Sequence, residues 1–103
     1  MDEDRRRAPR FPFIASAEVL AESAGMRLAA RISDISATGC YVDTINPLAG
    51  GTAVRVKILT ESHVFEAPAM VVYAHTHLGM GLMFGEVRPI SQDVLQNWLP
   101  AAG

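Results

Sequence analysis

The sequence predicts an all-β fold, a small six-stranded antiparallel β-barrel with a short C-terminal α-helix packed on it. Three observations carry this prediction. Apolar and polar residues alternate in about six short segments, turn-forming residues separate these segments, and the apolar period lengthens only near the C-terminus. With 103 residues, half of them apolar, the chain forms one domain that buries roughly two thirds of its unfolded surface.

The first two strands are predicted at Phe13–Glu22 and Met26–Ser33, with a turn at Ser23–Gly25 between them. Each strand has one apolar face, as in a half-buried antiparallel sheet. We expect these faces to point into the core; they consist of Phe13, Ala15, Ala17, Val19 and Ala21 in the first strand and of Met26, Leu28, Ala30 and Ile32 in the second.

The other four strands are predicted at Cys40–Thr44, Thr52–Thr60, His63–His75 and Gly79–Glu86. The fifth strand contains Pro68, which has no N–H to donate to a neighbouring strand. Proline therefore predicts a bulge or an edge position at this point.

The C-terminal helix is predicted at about residues 91–99. Ser91 is a candidate N-cap, and Ile90 and Leu95 have the spacing of a hydrophobic staple. Pro100 ends the helix. One face carries an apolar stripe that consists of Val94, Leu95, Trp98 and Leu99.

The N-terminal residues 1–12 are predicted to form a flexible, arginine-rich ligand-binding segment, and residues 13–103 the barrel with its helix. The stretch Arg5–Arg10 contains four of the nine Lys and Arg residues. Charge runs at chain ends are usually solvated tails. The guanidinium group of arginine, however, binds phosphates and guanine edges through two parallel hydrogen bonds. The alternative interpretation is therefore a segment that binds an anionic ligand.

The charge distribution argues against a nucleic-acid-binding surface. The net charge is −2, and the chain from Phe11 onward contains five Lys and Arg residues but eight Asp and Glu residues. A protein that covers DNA or RNA phosphates normally has a broad basic face. The local positive charge of Arg5–Arg10 fits a small anionic ligand better, and we expect neither DNA nor RNA as a partner.

The compartment is predicted to be the cytoplasm. No apolar run approaches the ~18 residues of a membrane span, so we expect no membrane insertion. The N-terminus has no apolar signal core. The single cysteine, Cys40, cannot form an internal disulfide, which fits a reducing compartment.

The sequence contains no convincing enzymatic constellation. Ser36 and Cys40 have no acid–base partner fixed by spacing. His75 and His77 share a strand face but lack further metal ligands in the sequence nearby. The glycines of Gly79–Gly81 lack the third glycine and the helix of a dinucleotide-binding fingerprint. We therefore predict no catalytic residue, no metal and no cofactor.

The segment Asp34–Gly39 has two interpretations. It is either a hairpin turn satisfied by its own Asp and Ser side chains or part of a nucleotide site. In the second case Asp34 accepts from the N–H edge of a guanine, and the Ser36 hydroxyl meets a phosphate. Arginines would then supply the positive charge.

Two motifs in this order resemble those of PilZ domains. Arg6–Arg10 resembles the family's RxxxR motif, and Asp34–Gly39 resembles its [D/N]xSxxG motif, with one hairpin between them. The segment Gly79–Phe84 is similar to the family's late glycine-containing strand. The resemblance covers nearly the whole chain and implies a PilZ-type barrel that binds cyclic di-GMP, a bacterial second messenger.

The resemblance also implies roles for individual residues. Arg6 and Arg10 would bind the phosphates and guanines, Asp34 would accept from a guanine, Ser36 would bond near the phosphates, and Gly39 would keep the loop open. Three further residues are candidates: Tyr73 for stacking on a base, and Arg5 and Arg7 beside the motif. In the family, an arginine at the position of Arg5 often accompanies two bound ligand molecules instead of one.

The predicted function is a non-catalytic cyclic di-GMP receptor that orders its N-terminal segment over the barrel and relays the signal to a protein partner. One alternative is a PilZ-like adaptor that binds a protein without a nucleotide. Another is a barrel that binds single-stranded oligonucleotides, which needs a basic, aromatic groove. The acidic balance after Arg10 disfavours it.

Overall fold

The computed structural model describes residues 8–100 and confirms the predicted fold. Six antiparallel strands close into a barrel in the order β1-β2-β3-β6-β5-β4, and one α-helix follows them. A short 3₁₀ turn, Glu22–Ala24, joins the first two strands. The elements are β1 Phe11–Ala21, β2 Met26–Ile35, β3 Gly39–Asp43, β4 Ala53–Leu59, β5 Val64–His75, β6 Gly79–Phe84 and α1 Pro89–Trp98.

The core consists of the inward faces of all six strands and one helix residue, Leu95. Strict alternation places every second residue of β4 and of the first part of β5 inside the barrel. Phe65 is fully buried and packs against Phe84 with 4.8 Å between ring centroids. The small residues Ala15, Ala17 and Ala21 are buried as predicted.

The predicted inward position of Met26 is wrong, since its side chain is 44% exposed. β3 pairs with β2 only from Arg31 to Ile35, so the first half of β2 has a neighbour on one side alone. Ile32, within the doubly paired half, is fully buried. β1 also begins two residues earlier than predicted, because Phe11 pairs with Ile35.

Three bulges shift the strand registers at one end of the barrel. They fall between Pro12 and Ala15 in β1, at Ser33 in β2 and at Val72 in β5. The extra residues at Ser33 and Val72 reverse the inward and outward alternation that follows them, whereas in β1 the alternation continues from Phe13 to Ala15. The bulge predicted at Pro68 lies at Val72 instead, and the carbonyl of Pro68 accepts from Gly85, just beyond β6.

The helix begins at Pro89, not at Ser91, and its N-cap residue, Arg88, makes no side-chain capping bond. The N-cap prediction for Ser91 is therefore wrong. Ser91 is buried, and its hydroxyl accepts a 3.2 Å hydrogen bond from the backbone N–H of Glu66 in β5. Trp98 packs on Phe13 at 5.0 Å between ring centroids, which joins the helix to the start of β1.

Within residues 8–100, no helix has the length and apolar character needed to cross a bilayer.

Candidate ligand-binding site

An open cleft of about 550 Å³ lies where the start of β1, the β2–β3 turn, β5 and β6 meet. Its wall combines a guanidinium, small polar groups, an aromatic ring and apolar side chains, a mixture typical of small-molecule sites. The lining residues are Ala8, Pro9, Arg10, Ser36, Thr38, Gly39, Val72, Tyr73, Leu82 and Met83.

Arg10 and Asp34 form an ion pair at the edge of this cleft. Nη2 of Arg10 donates to Oδ1 of Asp34 at 3.1 Å, and the side chains are 43% and 31% exposed. Partial burial alone would lower the pKa of Arg10, but the hydrogen bond and charge of Asp34, with a contribution from Tyr73, raise it above the ordinary value. The two motifs are thus in direct contact, 24 residues apart in sequence.

Two of the bulges aim the polar and aromatic side chains outward. Ile32 is buried in β2, and simple alternation would also turn Asp34 inward. The extra residue Ser33 reverses the alternation, so Asp34 faces out and Ile35 is fully buried. In β5 the bulge at Val72 acts in the same way on Tyr73, which is 37% exposed although Val71 is buried.

Ser36 builds the turn between β2 and β3. Its hydroxyl oxygen accepts from the backbone N–H groups of Thr38 and Gly39, each at 3.1 Å. The side chain is 6% exposed. A hydroxyl that accepts from two backbone donors holds the turn in shape, and the predicted contact of Ser36 near the phosphates stays a prediction.

Replacing Ser36 by alanine is expected to lower the free energy of unfolding by about 1–3 kcal/mol, because two N–H groups lose their acceptor. Urea denaturation of the two proteins measures this. Ser62→Ala, at an exposed loop position, is the matched control and should change stability by less than about 0.5 kcal/mol. Equal stability of Ser36→Ala and the wild type would show that the turn does not depend on the hydroxyl.

Gly39 lies where two strands meet, and its predicted role of keeping the loop open for a ligand stays a prediction. It is the first residue of β3, its φ is not in the left-handed region, and it pairs with Met83 of β6. An added Cβ would overlap the backbone carbonyl oxygen of Leu82 and lie 3.2 Å from its carbonyl carbon. Glycine is required here because two strands approach each other closely.

A second glycine of β6, Gly81, leaves space for the ring of Tyr73 in β5. Tyr73 pairs with Gly81, and a Cβ at Gly81 would come within 2.7 Å of the tyrosine hydroxyl oxygen. The missing side chain lets the ring lean over β6 beside the cleft. Its position fits the stacking role that the sequence predicted, which stays a prediction.

Of the arginines in the first motif, only Arg10 is within the described residues. Arg5, Arg6 and Arg7 lie outside them, so their predicted roles stay predictions. The candidate residues that the structure brings together are Arg10, Asp34, Ser36, Gly39 and Tyr73.

Sequence reasoning missed two kinds of residue around the cleft. Val72 and Met83 form its apolar wall and are 47% and 51% exposed. Tyr41 and His75 form an aromatic cluster with Tyr73. The sequence signal that could have indicated this cluster is Tyr41, an aromatic residue two positions after the second motif. His75 was considered only as a candidate metal ligand. Residues 8–100 contain no group of three or more His, Cys, Asp or Glu side chains that could hold a metal.

The fold places the described residues in the class of small closed antiparallel β-barrels, with an open cleft on the barrel surface. Within this class, the family model of the PilZ domain matches residues 4–100. The chain belongs to the PilZ domain family.

Solved structures share this fold at low sequence identity. The protein is similar to YcgR from Escherichia coli in complex with c-di-GMP, with a TM-score of 0.73, 20% identity and coverage of 90% of this chain and 43% of YcgR. The PilZ domain of CeSA from a cellulose-synthesizing bacterium matches with a TM-score of 0.68 and 17% identity, and the match covers 87% of this chain and 93% of that domain. The Bacillus subtilis inhibitor of motility MotI/DgrA matches with a TM-score of 0.72 and 22% identity, and the match covers 91% of this chain and 48% of MotI.

The chain therefore spans about half the length of MotI and less than half that of YcgR. No curated protein sequence matches it with statistical significance.

Proposed function

We propose that the protein is a non-catalytic receptor for cyclic di-GMP, and that it acts in the cytoplasm. The observation that carries the proposal is the contact of the two motifs, with the Arg10–Asp34 ion pair at the edge of a cleft next to Tyr73. Membership of the PilZ family and the YcgR structure with c-di-GMP support the choice of ligand.

The cleft offers complementary groups for a guanine nucleotide. Arg10 supplies a forked donor for phosphate oxygens or for the O6 and N7 edge of guanine, and Asp34 supplies an acceptor for the N1–H and N2–H edge. Tyr73 presents a ring face on which a base stacks. Ser36 and Gly39 hold the turn and the strand pair that shape the cleft.

Binding at micromolar concentration needs about −8 kcal/mol, which two to four arginine contacts, base stacking and the Asp34 loop can supply together. A bidentate arginine–guanine contact contributes ~1–3 kcal/mol, and stacking adds ~1–3 kcal/mol per base. The ligand must compete with the Arg10–Asp34 ion pair, but an exposed pair of this kind contributes only ~0–1 kcal/mol. Arg6 is proposed to supply the second guanidinium, with Arg5 and Arg7 as further contacts.

Titration calorimetry of the wild-type protein with cyclic di-GMP tests the proposal. Saturable binding is expected, with pGpG, the linear dinucleotide, as the control ligand. A stoichiometry of one or two ligands per chain then decides the role of Arg5. No heat of binding by the folded protein would contradict the receptor function and favour the alternative, an adaptor that binds a protein partner without a nucleotide.

Ligand binding is further proposed to fix the part of residues 4–12 that precedes β1 against the barrel, since Phe11 and Pro12 already belong to that strand. Trypsin cleaves after arginine, and Arg5–Arg7 provides three adjacent sites. Saturating cyclic di-GMP is expected to slow cleavage at these sites at least about fivefold, because proteolysis needs an open segment. Mass spectrometry of timed digests measures the rate, and cleavage after Lys57 within β4 is the internal control. Equal rates with and without ligand would contradict the fixing of this segment.

The fixed segment would transmit ligand binding to the protein surface. It would cover part of the cleft and its apolar wall, and so change the surface offered to a protein partner. Pull-down experiments with and without cyclic di-GMP test this relay, and ligand-independent partner binding would count against it.

A further inference from the structure

Three aromatic side chains form a continuous surface on the outside of the barrel, which we term the aromatic ledge: Tyr41 of β3, and Tyr73 and His75 of β5. Ring centroids are 6.2 Å apart for Tyr41 and Tyr73, 5.9 Å for Tyr41 and His75, and 5.1 Å for Tyr73 and His75. The rings are tilted by 32–39° to one another; Tyr41 is half-buried, and Tyr73 and His75 are exposed. Tyr41 Oη and His75 Nδ1 are joined by a 3.1 Å hydrogen bond.

Two glycines of β6, which runs between β3 and β5, make room for the ledge. Gly81 pairs with Tyr41 on one side and Tyr73 on the other, and Gly79 pairs with His75. A Cβ at Gly79 would lie 2.6 Å from the Tyr41 ring, and one at Gly81 would lie 2.7 Å from the Tyr73 hydroxyl. The rings therefore occupy the space that side chains of β6 would take.

The ledge continues from the ion pair of the proposed ligand site. Asp34 pairs with Tyr41, Tyr41 with Gly81, and Gly81 with Tyr73. Directly opposed residues in antiparallel strands lie ~4.5–5.5 Å apart, so this row runs from the carboxylate that holds Arg10 to the ring beside the cleft. Burial first, and then the charges of Tyr73, Asp43 and Asp34, raise the pKa of Tyr41 above its ordinary value.

We propose that the aromatic ledge is a purine-binding surface of the site, and that Tyr41 and His75 contact a guanine base of the ligand together with Tyr73. The proposal rests on the proposed cyclic di-GMP function and adds two contact residues outside both sequence motifs. Aromatic faces stack on any base, and larger purine rings gain more from a surface of three rings than pyrimidines do. The hydrogen bond between Tyr41 and His75 holds two rings in place before the ligand arrives, which lowers the ordering cost of binding.

Aromatic side chains also cover strand glycines for purely structural reasons, which is the competing explanation. The two explanations differ in what alanine substitutions do to affinity. If the ledge binds a base, Tyr41→Ala and His75→Ala each weaken cyclic di-GMP binding, by about five- to tenfold for Tyr41→Ala. If the ledge only covers glycines, these variants lose stability and keep their affinity.

Titration calorimetry on the wild type and these variants, with denaturation curves for each, separates the explanations. Tyr41→Phe keeps the ring and is expected to recover most of the affinity lost in Tyr41→Ala. His63→Ala is the matched histidine control, because His63 lies in the β4–β5 turn and contacts Ser62. Wild-type affinity in folded Tyr41→Ala and His75→Ala proteins would overturn the ledge proposal and leave the receptor function intact.

Nuclear Overhauser effects in the wild-type complex provide a second measurement that does not depend on a variant folding. Contacts from a guanine H8 proton to ring protons of Tyr41 or His75 are expected, and their absence in a saturated complex would overturn the proposal. If the wild-type protein binds no cyclic di-GMP, the receptor function fails and the ledge proposal fails with it.

Discussion

Replacing Arg10 by alanine is expected to weaken cyclic di-GMP binding at least about fivefold, the largest loss for any described side chain. A bidentate guanidinium contact to guanine or phosphate contributes ~1–3 kcal/mol, which corresponds to a factor of about 5 to 150. The variant also leaves Asp34 without the partner that lies 3.1 Å away. Titration calorimetry against the wild type measures the effect.

The stability of the variant is expected to change little, which makes the affinity loss interpretable. Both members of the ion pair are partly exposed, and such pairs contribute ~0–1 kcal/mol to folding. Arg55→Ala is the matched control, because Arg55 forms a similar exposed pair with Glu66 at 3.5 Å outside the cleft. Arg55→Ala should bind as the wild type does.

Asp34→Ala completes a double-mutant cycle with Arg10→Ala. If Asp34 accepts directly from guanine, its loss weakens binding even when Arg10 is already absent. If Asp34 only positions Arg10, the double variant binds no more weakly than Arg10→Ala. Wild-type affinity in Arg10→Ala would contradict the role proposed for the first motif.

The barrel could be predicted from sequence because its main determinant is local. Alternation in segments such as Thr52–Thr60 fixes which face is buried, and the burial of Val54, Val56 and Ile58 follows it residue by residue. The contact between Arg10 and Asp34 could be predicted only through the family resemblance, because no local sequence pattern relates residues 24 positions apart.

The shape of the site could not be predicted because it depends on non-local register. The bulges at Ser33 and Val72 exist only relative to a partner strand, and they decide whether Asp34 and Tyr73 face the core or the solvent. The same holds for the glycines of β6. Their closeness to Tyr41 and Tyr73 depends on which strands become neighbours in the closed barrel.

Gly39→Ala is expected to lower the free energy of unfolding by about 2–3 kcal/mol, because the new methyl group meets the backbone of Leu82 and not a movable side chain. β3 and β6 would have to separate, in a pair that helps to close the barrel. For a domain of this size, such a loss lowers the melting temperature by about 8–24 °C. Thermal and urea denaturation measure the change.

Gly50→Ala is the matched control, since its nearest neighbour would be the Val72 carbonyl oxygen at an ordinary 3.7 Å and its φ is not left-handed. It should be neutral or stabilise the protein slightly, because alanine restricts the unfolded chain. A melting temperature for Gly39→Ala equal to that of the wild type would refute the packing explanation. If the predicted loss occurs, weak cyclic di-GMP binding by a Gly39 variant reports a displaced β3 strand, and only variants with intact stability, such as Arg10→Ala, can identify ligand contacts.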